Sequence, residues 1–178
     1  ACEIAALSVE TKLIWNKLQY VGIVSVPTFW FLFTVHFTGR EHWLKRRNLI
    51  LLCVVPLVTL ALVFTNEHHH LMWSGIIVDE LSPVSNLEKE FNTLFWWFLA
   101  YTYSLLSVSA YFLLQMLIYS RNLYRWQASA LIIGELTPSA GRILTILGWN
   151  PFGHLDLEVL GLVISGLMVA WCIFRLRL

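Results

Sequence analysis

Two ionisable residues inside an apolar stretch carry the strongest chemical signal in this chain. Glu135 and Arg142 sit seven residues apart between Trp126 and Leu147. At about 100° per residue, seven steps return close to the same helix face. Glu135 is nine residues into the stretch, roughly 13 Å at the helical rise, which is a depth near the middle of a bilayer. Charge at that depth is costly and normally faces a bundle interior or a cavity, which makes such residues default functional candidates. Two chemistries fit the pair: an ion pair that fixes packing, or part of a ligand or signalling site.

A second group is His68, His69 and His70, which follow Asn66 and Glu67. Imidazoles beside a carboxylate can bind zinc or copper. Three consecutive helical positions point in different directions, however, so these are weak metal candidates and no metal site is assigned. Asp79, Glu80 and His154 would complete such a site only if the loops converge. His36 has no second histidine at matching depth, so no transmembrane haem is expected. The cofactor is unknown, and the expectation is none.

Asn16 and Gln19 share a face at i, i+3 and, with Lys17, crowd one end of a span beside Trp15 and Tyr20. They suit either a pocket or interhelical hydrogen bonding. The hydroxyls of Tyr101, Tyr103, Ser104, Ser107, Ser109 and Tyr111 read mainly as packing groups, since Ser and Thr bond back to their own helix. No GxSxG, HExxH, P-loop or dinucleotide-binding pattern occurs, and no catalytic residue is assigned. Cys2, Cys53 and Cys172 are far apart, with no CxxC, and read as inert. Nothing points to nucleic acid.

The elements that must position these residues are long apolar runs. Of the 178 residues, 58% are hydrophobic and 13% charged, against about 25% charged in soluble domains. Spans are expected at Leu13–Phe37, Asn48–Thr65, Phe91–Tyr119, Trp126–Leu147 and Leu157–Phe174. All are too long for strands and lack period-2 alternation. The fold class is an all-α integral membrane protein, a polytopic helix bundle of five complete spans forming one domain over residues 1–178. Asn66–Glu90 is the longest loop, with room for a hairpin or a surface-lying helix. Gly161 and Ser165, like Gly166 and Ala170, have the small-xxx-small spacing that lets helices approach closely.

Charge sorting orients the bundle. Arg40, Lys45, Arg46, Arg47, Arg121, Arg125, Arg175 and Arg177 supply eight of the twelve Lys and Arg residues and fall in three short segments. Acidic residues dominate the other gaps. Because cationic loops stay in the cytoplasm, the C-terminus is expected to be cytoplasmic and the Asn66–Glu90 loop and the Gly148–Asp156 turn external.

Four segments then add a resemblance. TKLIWNKLQYVGIVSVPTFWFLFTVHFTGR (Thr11–Arg40), FTNEHHHLMW (Phe64–Trp73), LYRWQASALIIGELTPSAGRILTILG (Leu123–Gly148) and the tail Leu155–Leu178 together resemble the N-terminal seven-transmembrane input region of prokaryotic sensor histidine kinases. ACEIAALS would then be the end of the family's second helix, so the resemblance implies a fragment with about five of seven helices. It implies a multi-pass protein of a prokaryotic cell membrane, signal reception in a two-component system, and no enzymatic activity in this segment. Its implied partners are the lipid bilayer, a second copy in a homodimer, a cytoplasmic kinase or other output module, and an unknown small-molecule ligand. The expected ligand site gathers Asn16, Gln19, Asn66, Glu67, Trp73, Glu135 and Arg142. Pro27, Pro56 and Pro138 are expected points of flexure. Two other readings fit the same helices: an accessory subunit of a membrane complex, or a metal-dependent membrane enzyme using His68–His70.

Overall fold

The computed structural model describes residues 9–78, 87–120, 122–147 and 157–175. Cys2, Asp79, Glu80, Arg121, the Gly148–Asp156 turn with His154, and Arg177 lie outside the described residues, as does the side chain of Arg142. Among the described residues, six α-helices, a 3-10 turn and one hairpin form in chain order: α1 (Val9–Phe37), the 3-10 turn (Glu41–Trp43), α2 (Arg46–Phe64), the short α3 (Asn66–His69), β1 (Trp73–Val78), β2 (Leu87–Phe91), α4 (Thr93–Tyr119), α5 (Asn122–Ile146) and α6 (Leu157–Arg175). The chain divides into two compact units, Ala1–Leu106 and Ser107–Leu178, each taken below by itself.

The all-α class fits, and of the two forms open to the Asn66–Glu90 loop the described residues take the hairpin. Trp73 pairs with Phe91, and Ile76–Val78 pair antiparallel with Lys89–Leu87. The β-branched run Ile76, Ile77, Val78 favours an extended backbone. Phe91 therefore ends a strand instead of opening a helix, and α4 starts at Thr93. At the other boundary, α5 begins about one turn before Trp126, at Asn122.

Three helices are long and apolar enough to cross a membrane among the described residues: Ile14–Phe37, Arg46–Phe64 and Thr93–Tyr119. Helix α5 carries Arg125, Glu135 and Arg142 among its apolar residues, and the sequence of α6 is uncharged from Val159 to Phe174. Only 11% of the apolar window of α2 is buried, as expected of a helix whose solvent is lipid.

The first unit encloses a core of Tyr20 and Val24 from α1, Val63 from α2, Met72 and Trp73 at the hairpin, and Phe95 and Phe98 from α4. Helix α1 ends at Gly39, φ 69°. There the N–H of Arg40 reaches Val35 O and that of Gly39 reaches His36 O, a Schellman cap in which glycine takes the left-handed position without a Cβ penalty.

Pro56 lies inside α2. Lacking an N–H, it leaves the carbonyl four residues earlier without its helical donor. That carbonyl belongs to Leu52, and the Tyr101 hydroxyl donates to it at 2.8 Å. Tyr101 Oη also lies 3.5 Å from Thr28 Oγ1. With its own proton committed to Leu52, Tyr101 is the acceptor there. The bond holds α2 at the residue expected to flex. Tyr101→Phe is expected to cost about 1–3 kcal/mol, the penalty of an orphaned buried carbonyl, read as a lower unfolding midpoint in micelles. An unchanged midpoint would show that the carbonyl finds another donor.

Candidate functional site

The richest polar geometry lies where α2 hands over to the hairpin. Thr65 closes α2, and α3 ends at His70, which takes a left-handed conformation (φ 50°). Asn66 is 2% exposed. Its Oδ1 accepts the Met72 N–H at 2.9 Å and the Trp73 N–H at 3.4 Å, while its Nδ2 donates to Trp73 O at 3.0 Å. One amide side chain thus satisfies both sides of the strand entrance. From across the hairpin, Asn92 Nδ2 donates to His70 O at 2.7 Å and the Asn92 N–H donates to Met72 O at 2.9 Å. These bonds place the Trp73 indole 5.6 Å from the Tyr20 ring, tilted by 34°.

Lys17 reaches this corner from α1. Its Nζ lies 2.7 Å from Glu67 Oε1 and 3.4 Å from Phe64 O. The Lys17 side chain is 14% exposed, that of Glu67 63%. Lys17 holds the Glu67 carboxyl below its ordinary 4.5, first by the hydrogen bond and then by its charge, with a smaller push from His68 and partial opposition from desolvation.

The histidine run does not act as a unit. His69 Nδ1 accepts the Leu71 N–H at 3.0 Å, and its Nε2 lies 3.0 Å from Thr65 Oγ1, whose hydroxyl donates to Ala61 O at 2.7 Å. Only a neutral ring protonated on Nε2 satisfies this chain. A metal at either nitrogen would displace one of these bonds. Among the described residues, no three His, Cys, Asp or Glu side chains approach closely enough to hold an ion.

Of the expected ligand residues, Asn66, Glu67 and Trp73 therefore share one corner, with Asn66 committed to the backbone. On α1, Asn16 is half-buried and Gln19 exposed. The corner also uses Lys17 and Tyr20, from the cluster at the end of α1, and Asn92, none of them in the expected ligand set. Lys17 had a readable signal: a lysine at the edge of an apolar span needs a partner. Elsewhere in this unit, Trp30 Nε1, Thr34 Oγ1 and Thr102 Oγ1 are buried with no hydrogen-bond partner among the described residues.

Glu135 and Arg142 belong to the second unit. Glu135 is 7% exposed, so its side chain is covered by protein. Arg142 follows two turns later on α5. Helices α5 and α6 pack closely: an ideal Cβ on Gly161 would stand 2.6 Å from Pro138 Cα, and one on Gly134 would stand 3.4 Å from Ser165 Oγ. Lower on the same pair, Gln127 is 2% exposed and its carbonyl lies 4.0 Å from Cys172 Sγ. Cys53 and Cys172 are free thiols, exposed and buried respectively.

Long apolar helices with exposed flanks and buried polar groups define a multi-pass membrane protein. A family model described as the N-terminal 7TM region of histidine kinase matches residues 1–178, and the chain belongs to that family. No match was found among curated proteins or among solved structures.

Proposed function

We propose that this chain is a sensory input domain. It receives an extracellular or membrane-borne signal and passes it to a cytoplasmic histidine kinase module in a homodimer. The observation that carries this reading is the family match across residues 1–178. In this reading the five long helices all cross a prokaryotic cell membrane. Helix α6, with 19 residues, is about 28 Å long at the helical rise, close to the roughly 30 Å hydrocarbon core. The basic Arg40–Arg47 segment and the end of α6 lie in the cytoplasm, and the β1–β2 hairpin lies outside.

The corner formed by Lys17, Tyr20, Asn66, Glu67 and Trp73 is the external receiving surface for a small molecule, with Asn16 and Gln19 alongside. Glu135 and Arg142 bias the helix arrangement that the kinase reads. A signal shifts that arrangement only through different affinity for its two states.

The test is basal autophosphorylation of the full-length protein in proteoliposomes. Glu135→Gln and Arg142→Ala are each expected to change it at least about fivefold, the lower end of typical coupling between sites. Insertion, followed by protease protection of the C-terminus, should stay normal. Basal phosphorylation equal to wild type in both variants would remove Glu135 and Arg142 from the signalling path.

A further inference from the structure

The second unit carries a groove that neither the family nor the signalling reading accounts for. It measures about 560 Å3 and runs between α5 and α6. Ile133, Ile164, Leu167 and Met168 line its apolar length, and Trp126 and Trp171 stand at one end. From Trp126 to Ile133, and from Ile164 to Trp171, each wall rises through seven residue steps, or about 10 Å. The groove therefore occupies roughly a third of a hydrocarbon core. Trp126, Ile133, Ile164, Leu167 and Trp171 are all exposed.

The chemistry is graded along the groove. Tryptophan prefers the level of the lipid headgroups, so the Trp126–Trp171 end marks the interface. Arg125, the residue before Trp126, is exposed and has no hydrogen bond or ion pair among the described residues. Arg175 follows Trp171 by one helical turn, at the end of α6. Arg125 also sits in the first turn of α5, where the positive end of the helix dipole disfavours a cation and favours an anion. An anionic group beside Arg125 answers both charges. A second copy of this chain fits the groove poorly. Pairing about an axis along the membrane normal would bring matching cationic ends together at one depth.

We propose that this groove binds one anionic phospholipid, its acyl chain along Ile133, Ile164 and Leu167 and its phosphate beside Arg125. This lipid site stands apart from the receiving corner of the first unit and does not depend on it.

Tryptophan quenching tests the proposal. The full chain is placed in phosphatidylcholine vesicles containing a minority of phosphatidylglycerol, with bromine on the acyl chains of one lipid or the other. The chain has nine tryptophans, so the relevant signal is the part lost in the Trp126→Phe/Trp171→Phe double variant. That part is expected to report brominated phosphatidylglycerol enriched about fivefold over its bulk fraction, the preference one arginine near a membrane surface supplies. Arg125→Gln should abolish the enrichment, while Arg47→Gln, at the start of α2, should leave it intact. Native mass spectrometry should show retained phosphatidylglycerol in wild type but not in Arg125→Gln. Equal quenching by the two lipids in wild type would overturn the proposal. So would an equal loss of preference in Arg47→Gln, or shielding of both tryptophans by a cross-linkable second copy.

Discussion

Gly161→Ala is expected to destabilise the α5–α6 pair by about 1–3 kcal/mol, the range for forcing a methyl into a packed site. The added Cβ would lie 2.6 Å from Pro138 Cα, 2.8 Å from Pro138 N and 2.9 Å from Thr137 O. All three are backbone atoms, so no rotamer change relieves the contact. Either α6 moves outward along its length or α5 bends further at Pro138. In a bilayer this approach has little hydrophobic drive behind it, because lipid tails are as apolar as the side chains. Close van der Waals packing of small residues is what holds such helices together.

The control lies five residues further along. Gly166→Ala meets nothing within 4 Å, so it should be neutral or should stabilise α6 by up to about 1 kcal/mol through helix propensity. The measurement is SDS-driven unfolding in micelles, followed by helicity. Equal midpoints for the two variants would show that the close approach at Gly161 contributes nothing. Under the signalling reading, Gly161→Ala should also shift basal kinase output, because it displaces the helix leading to the kinase.

The two small-residue pairs show what was legible and what was not. Gly161/Ser165 and Gly166/Ala170 have identical spacing, yet Gly161 and Ser165 meet α5 whereas a Cβ on Gly166 would meet nothing within 4 Å. Spacing assigns residues to a face but does not name the neighbour of that face. The same limit applies to Pro56: the orphaned Leu52 carbonyl follows from proline chemistry alone, whereas its donor, Tyr101, is brought in by tertiary packing across 49 positions. Hydropathy pointed to the long helices among the described residues, three of which are long and apolar enough to cross a membrane, because a lipid solvent demands long apolar runs. It misplaced the start of α4, because Phe91 is as apolar in a strand as in a helix. Glu67 was legible as a polar outlier, but the partners of Asn66 were not. Its amide is committed to the Met72 and Trp73 backbone, which braces the corner.

That commitment makes Asn66 the most sensitive polar position in the first unit. Asn66→Ala removes an acceptor from the Met72 and Trp73 N–H groups and a donor from the Trp73 carbonyl. Unpaired buried groups cost about 1–3 kcal/mol each. With two of the three bonds well formed, a total loss of about 2–4 kcal/mol is expected, among the larger single-residue effects. Amide hydrogen exchange should locate it: protection at Met72 and Trp73 should fall together, and the Tyr20–Trp73 contact should loosen with them. Asn66→Asp separates the acceptor from the donor. Its carboxyl keeps the acceptor for both N–H groups but, when ionised, faces the Trp73 carbonyl with no proton to give. That repulsion raises the carboxyl pKa in the folded state above the ordinary value of about 3.9. The charged form is therefore destabilising above the folded pKa, and the penalty shrinks as pH falls through it and the carboxyl regains a donor. The unfolding midpoint of Asn66→Asp should approach that of wild type on acidification, and Asn66→Ala should show no such recovery. Unaltered exchange at Met72 and Trp73 in both variants would mean that the strand entrance is held by Asn92 and the Tyr20–Trp73 packing, with Asn66 dispensable.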